Sequence, residues 1–386
     1  MEDAQLMIDS KELGEPENIL SIDRIVLETK EDELPEKVEP IKAQDIKSYL
    51  DTKVIGQETA KVQISVLLSM HMNWFNQKNK MHISPNALVV GPTGVGKTHT
   101  LRIASEYLKV PFIAVDTTAI VRAGIVGLGV EDILADLVRE AREMLKRQDT
   151  FISTPDSWED ASEDDTAMEL AKRGIIFFDE FDKVNADSDN SNIKDSNLSS
   201  QRRLLKLTDG AVLKVGERGT SDNFSSMDTS GILFVAGGAF VGIDQNKIRT
   251  KRSAQMARDL AKKPNLVISE DIVNYGFMPE LVARFPILIE YEALSQKDLL
   301  NILDNHSISP VQVWKEHFRI LGKDLIFTQD AKEFAATKAL NLKMGARGLQ
   351  QILFPALARM AFEIESSSAS TYEVNSEKLE RAWMKI

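Results

Sequence analysis

From residue 41 onward, apolar positions alternate between short unbroken runs and helical stripes. Runs of four to six residues at Ala87–Val90, Val110–Val115, Ile175–Phe178 and Ile232–Ala236 read as strands. Those without polar interruption suit a parallel sheet covered on both faces. Between them, Ile41–Leu50 is helical in pattern. A longer apolar helix is predicted from Thr59 to Phe75, with Val62, Val66, Leu67, Met70 and Trp74 at helical spacing. Another covers Val130–Lys146, with Ile133, Leu134, Leu137, Val138, Ala141 and Leu145 on one stripe. A further helix lies around Arg203–Leu207. The alternation predicts an α/β fold whose ligands bind at the C-terminal ends of parallel strands. From Tyr291 the pattern is mainly helical, with one short apolar run at Leu325–Phe327. The expected division is an arm or small appendage over 1–40, a large α/β domain over 41–290 and a smaller, mainly helical domain over 291–386.

Three stretches interrupt this pattern. Residues 1–40 hold thirteen acids against four bases, a charge of −9 out of a total of −12. They read as a solvated arm. Residues 149–169 contain eight acids and no Lys or Arg, and read as an exposed insertion. Asn185–Ser200 reads as a polar loop.

Composition narrows the function classes. At 43% hydrophobic and 27% charged residues the chain resembles an ordinary soluble protein, and no apolar run approaches the roughly 18 residues that span a bilayer. Cysteine is absent, which excludes disulfides and thiolate metal sites. The acidic start, Met1-Glu2-Asp3-Ala4, lacks the regions of a signal peptide, so a cytoplasmic location is expected. Without the arm the charge is −3, so no general nucleic-acid footprint is present.

Candidate chemistry begins where the first predicted strand ends. Gly91-Pro92-Thr93-Gly94-Val95-Gly96-Lys97-Thr98 has the Walker A spacing. Its glycines let backbone N–H groups converge on phosphates, and the following helix adds the positive end of its dipole. Lys97 supplies a point charge for the β- and γ-phosphates, and the Thr98 hydroxyl is placed to hold Mg²⁺. About eighty residues on, Asp179-Glu180 ends an apolar strand in the Walker B manner. Asp179 would organise Mg²⁺, and Glu180 would activate the attacking water. Two arginines offer further positive charge. Arg284 follows Pro279–Ala283 near a helix end, where it could reach a neighbouring subunit's nucleotide. Arg347 stands at a helix start, an electrostatically poor place for a structural cation. ATP and Mg²⁺ are the cofactors this set implies.

Together these motifs resemble the ClpX/HslU family of AAA+ protein unfoldases, over Ile41 to Tyr372. Val54-Ile55-Gly56-Gln57 is similar to the family's nucleotide-contacting segment, which assigns Ile55 to the base. Gly237-Gly238-Ala239-Phe240 resembles its strand-end signature. Arg284 falls on the arginine-finger position, and Gly345-Ala346-Arg347-Gly348-Leu349 on the sensor-2 motif. The resemblance implies an AAA+ P-loop sheet domain followed by a helical one. It also implies a homo-hexameric ring that threads unfolded or tagged protein substrates using ATP.

The departures are specific. Gly124-Ile125-Val126-Gly127 stands where the family's pore loop carries Gly-Tyr-Val-Gly, making Ile125 and Val126 the expected substrate contacts with less grip than an aromatic. Gly216–Asp228 lacks the Arg-Lys-His loop of the pore entrance. There is no cysteine-rich zinc segment. The Ile-Gly-Phe or Leu-Gly-Phe tripeptide that docks a ClpP-type peptidase is missing, and Lys247–Lys263 holds no substitute. Tyr275-Gly276-Phe277 reads as structural. A peptidase-independent disassembly chaperone therefore stands beside the unfoldase reading, and a nucleic-acid remodelling ATPase is the alternative from another class.

Overall fold

The computed structural model describes residues 39–75, 86–121, 129–147, 162–187, 190–215, 225–243, 266–305, 309–364 and 370–384. These residues belong to the compact unit Ile41–Ile386, apart from Glu39 and Pro40. Ile125 and Val126, expected from the sequence at a pore loop, most of the acidic arm and the Lys247–Lys263 segment lie outside the described residues.

Five parallel strands form the central sheet: β1 (Ala87–Val90), β2 (Phe112–Asp116), β3 (Ile175–Asp179), β6 (Leu233–Gly238) and β7 (Ile287–Glu290). Their order is β2-β3-β6-β1-β7, with β1 pairing Ala87 to Val235 on one side and to Ile287 on the other. Because side chains alternate across a strand, the sheet feeds two separate apolar clusters. Ile175, Phe177, Leu233 and Val235 enter one, and Ile176, Phe178, Phe234 and Ala236 enter the other. All eight are fully buried or nearly so. Each large side chain of this kind contributes about 1.5–3 kcal/mol when buried. The predicted α/β architecture is therefore present, with the ends of β1, β3 and β6 at one edge.

Helices α1 (Ala43–Lys53), α2 (Glu58–Phe75) and α3 (Lys97–Leu108) join the first cluster. On the other face, α5 (Val130–Lys146) buries Ile133, Leu134, Leu137, Val138 and Ala141 as expected, with Met144 rather than Leu145 as the last fully buried position. A short α4 (Thr117–Val121) directly follows β2, and a hairpin of β4 (Val212–Val215) and β5 (Ser225–Asp228) flanks the sheet. Beyond β7 come α10 (Gln296–Asp304), α11 (Pro310–Ile320), α12 (Gln329–Leu342), α13 (Arg347–Ile364) and α14 (Ser376–Trp383). The apolar run at Leu325–Phe327 becomes β8 (Asp324–Phe327), which pairs in parallel with β9 (Thr371–Val374).

Three expectations need correction. On α2 the residues Val62, Val66 and Met70 face solvent, while Ile64, Leu67, Leu68 and Met72 are buried. The helix is apolar almost all round, so periodicity could not choose its inner face. Lys61 is drawn inward because its ammonium meets both Asp51 and Glu58 at 2.6 Å.

The acidic stretch 149–169 is not all insertion: Glu163–Ala171 forms α6. Ser162 caps it by accepting the Asp165 N–H, and Glu163, Asp164 and Asp165 occupy the first turn, where acids favour the helix dipole. Ala167, Leu170 and Ala171 are buried, and the helix packs on α5.

The predicted loop Asn185–Ser200 is helical from Ser191, within α7 (Ser191–Thr208), capped by Asn190. Weak helix formers fill its first turns. Buried Asn197 and Gln201 nonetheless find backbone carbonyls at Asn185 and Val184.

Candidate active site

The loop after β1 is anchored from two sides. Gly91 donates its N–H to Gly238 O on β6, and Tyr291 donates to Val90 O from the end of β7. A Cβ at Gly91 would lie 2.5 Å from the Tyr291 carbonyl, so this turn admits only glycine. Gly94 and Gly96 have φ of +73° and +100°, a region that side chains disfavour. Lys97 opens α3 with its ammonium on the carbonyls of Gly91 (2.6 Å) and Pro92 (2.8 Å). Burial lowers its pKa, nearby Asp179 and Asp182 oppose that shift, and Arg347 adds to it. Lys97 is thus a largely desolvated donor beside two carboxylates.

The acidic side of the site comes from β3. Thr98 donates its hydroxyl to Asp179 Oδ2 at 2.9 Å, joining the Walker A helix to the Walker B strand. Glu180 is exposed and left-handed, at φ +52°, with its N–H on Asp179 Oδ1. The next turn, Phe181–Val184, is a 3₁₀ helix. There Asp182 is buried and accepts the Ala239 N–H from the end of β6 at 3.2 Å. A Cβ on Gly238 would lie 2.7 Å from that carboxylate, which explains glycine at the strand end.

A cavity of about 450 Å³ collects these groups. Thr93 to Thr98, Asp179, Glu180 and Asp182 line its polar part, Val54, Ile55, Leu294 and Ile302 its apolar end, and Arg347 one wall. Its size and mixed lining suit a small organic anion. Arg347 arrives with the turn before α13, where Ala346 donates its N–H to Gly94 O at 2.9 Å. On the apolar side Gln57 and Glu292 exchange two hydrogen bonds, Gln57 Nε2 to Glu292 O and Glu292 N to Gln57 Oε1.

Most of the residues expected from the motifs are therefore brought together. Gly91 and Pro92 shape the loop from behind the cavity. Arg284 does not line it: its guanidinium Nε pairs with Asp209 at 2.6 Å, with both side chains partly exposed. Sequence reasoning missed Asp182, Gln57 in its clamping role, and Thr117, whose buried hydroxyl sits behind the Walker B pair. Only Asp182, three residues after Asp179, carried a visible signal. Phe277 is buried and stacks on Phe181 at 5.0 Å, in keeping with a structural reading of Tyr275–Phe277.

Among the described residues no cluster of three or more His, Asp or Glu side chains is suited to a metal, and no helix is long and apolar enough to cross a membrane. A divalent ion held by one hydroxyl, one carboxylate, waters and phosphates needs no such cluster, and Thr98 with Asp179 supplies that pair of hard oxygens.

Residues 84–288 match the family described as AAA domain (Cdc48 subfamily). The chain is 33% identical over 339 residues to ATP-dependent Clp protease ATP-binding subunit ClpX 2 of Wolinella succinogenes, covering 86% of this chain and 79% of that protein. It is 33% identical to the ClpX subunit of Treponema denticola, covering 84% of this chain and 77% of that one. With the ClpX subunit of Porphyromonas gingivalis the identity is 32%, covering 90% and 82%. The P-loop, the Asp179-Glu180 strand end and these relationships lead to one conclusion: the chain is an ATPase and belongs to the ClpX family of AAA+ proteins.

Proposed function

We propose that this protein is an ATP-driven protein-remodelling motor, a ring of identical subunits that threads polypeptide through its centre. The observation that carries this reading is the composition of the cavity. Thr93 to Thr98, Asp179, Glu180 and Arg347 line one space, while Arg284, the other arginine singled out by the sequence, stands outside it on Asp209. A site built this way is completed by Arg284 from a neighbouring copy acting as an arginine finger, worth roughly 10³–10⁵ in rate where measured. Thr98 and Asp179 would hold Mg²⁺, which neutralises phosphate charge when bound. Lys97 orients the β- and γ-phosphates, Ile55 packs on the base, and Glu180 accepts the proton of the attacking water. Arg347 senses the γ-phosphate. Ile125 and Val126 are assigned to the pore tip by their place in the sequence.

The test is unfolding of a tagged fluorescent protein, with ATP, by the full chain. Loss of fluorescence is expected from the native protein. None is expected from Glu180→Gln, which should still bind ATP and assemble. Full unfolding by that variant would sink the mechanism. The same assay run with and without a ClpP-type peptidase decides between a protease partner and a free-standing disassembly chaperone. The missing docking tripeptide favours the latter. Stimulation of ATPase turnover by DNA rather than by unfolded protein would instead favour a nucleic-acid remodelling role.

A further inference from the structure

Glu180 stands in a backbone conformation that a glutamate adopts only under constraint, and the source of the constraint is visible. At φ +52° and ψ 34° it is one of the few described non-glycine residues in the left-handed region. Its side chain is exposed to the cavity, so packing of that side chain does not hold it there. The backbone on either side is held. Thr117, wholly buried at the end of β2, directs its single hydroxyl at Asp179 O (2.9 Å) and Glu180 O (2.8 Å). The β2–β3 pairing sets this geometry, since Asp116 is in register with Asp179 and places Thr117 just past the end of the ladder. Thr117 does not itself line the cavity, and its hydrogen bonds reach two residues that do, Asp179 and Glu180, through their carbonyls.

We propose that Thr117 is a positioning residue for ATP hydrolysis, holding the Asp179–Glu180 peptide so that the Glu180 carboxylate points at the attacking water. The inference rests on the assignment of Glu180 as the water-activating acid. Thr117 also opens α4, whose last residue, Val121, precedes the segment that carries Ile125 and Val126. One hydroxyl therefore joins the catalytic strand end to the start of the chain leading to the expected pore tip.

The experiment measures steady-state ATP hydrolysis and binding of a fluorescent ATP analogue by full-length Thr117→Val, Thr117→Ser and Glu180→Gln variants, and by the Thr117→Val/Glu180→Gln double variant. Valine keeps the shape and removes the hydroxyl; Thr117→Ala, which removes it without added bulk, is assayed beside it in case valine impairs folding. The expected result is a fall in kcat of about 10- to 100-fold for the variants without a hydroxyl, the scale of loss from a small misplacement. KM and analogue affinity should stay within about threefold, because ground-state binding is untouched. Thr117→Ser should recover most of the rate, and Thr117→Val should add nothing in the Glu180→Gln background. Native kcat in Thr117→Val alongside an inactive Glu180→Gln overturns the proposal and leaves the role of Glu180 standing. Parallel losses of rate and analogue binding that serine does not relieve also overturn it, by showing a merely structural residue. Native turnover in Glu180→Gln overturns the assignment beneath it.

Discussion

A hydrogen atom is all the side chain that position 345 admits. Gly345 has φ +58°, and a Cβ there would run into the Gly94 carbonyl, while one on Gly94 would run into Met344 O. The phosphate loop and the turn that delivers Arg347 thus touch backbone to backbone. Gly345→Ala is expected to push the two apart and lower kcat/KM for ATP by roughly 10- to 100-fold, with global unfolding little changed. Steady-state kinetics beside a thermal melt measure both. Residues of this kind divide sharply in how legible they are. Gly91–Thr98 and Asp179-Glu180 declare themselves because phosphate chemistry imposes a fixed local spacing. Thr117 and Gln57 do not, because their partners are backbone atoms 62 and 235 positions away and a lone Thr or Gln has no signature.

Elements whose type follows from a strong pattern were readable, and those built on weak local preference were not. The runs at Ile175–Phe178 and Ile232–Ala236 gave central strands because burial on both faces leaves no polar position. Helix α7 was hidden by its Ser- and Asn-rich start, although its buried side holds the site together. Gln201 on this helix donates to Val184 O (2.8 Å) and Gly276 O (3.1 Å) and accepts the Met278 N–H (2.7 Å). It links the turn after Glu180 to the segment leading to α9 (Pro279–Val282) and Arg284. Gln201→Leu leaves buried backbone groups unpaired and should cost about 2–4 kcal/mol of stability. Chemical denaturation would record this as an earlier midpoint; a cost below about 1 kcal/mol would show that the link bears little. A gentler change at the start of α10 is Ser295→Ala. It removes the capping box with Asp298 and should cost about 1 kcal/mol in the same measurement.

For the molecule as a whole, the misjudged face of α2 carries the main consequence. Val62, Val66 and Met70 are 46%, 44% and 56% exposed, at four-residue spacing along one side of the helix. On α13, Phe354 and Phe362 are 61% and 82% exposed. Two different apolar surfaces on one chain suit head-to-tail association, which gives a ring where the rotation between subunits closes. If the proposed ring uses the α2 face, Val66→Glu should lower the mass seen by light scattering with ATP, leave the subunit's melting temperature near native and depress ATPase at low protein concentration. An unchanged mass would assign that face to another use. Which apolar residues of α2 face outward could be learned only from the packed structure.

The exchange between Gln57 and Glu292 has a further meaning. A side-chain amide there imitates one rung of a sheet, fastening the chain around Ile55 to the connection between β7 and α10. Because the rung is made by a side chain, one substitution can loosen it without redirecting the main chain on either side. Under the proposed function, grip on the base and freedom of the helical part would then be separately adjustable, and position 57 would be a tuning point for how fast the motor runs against how firmly it holds its fuel.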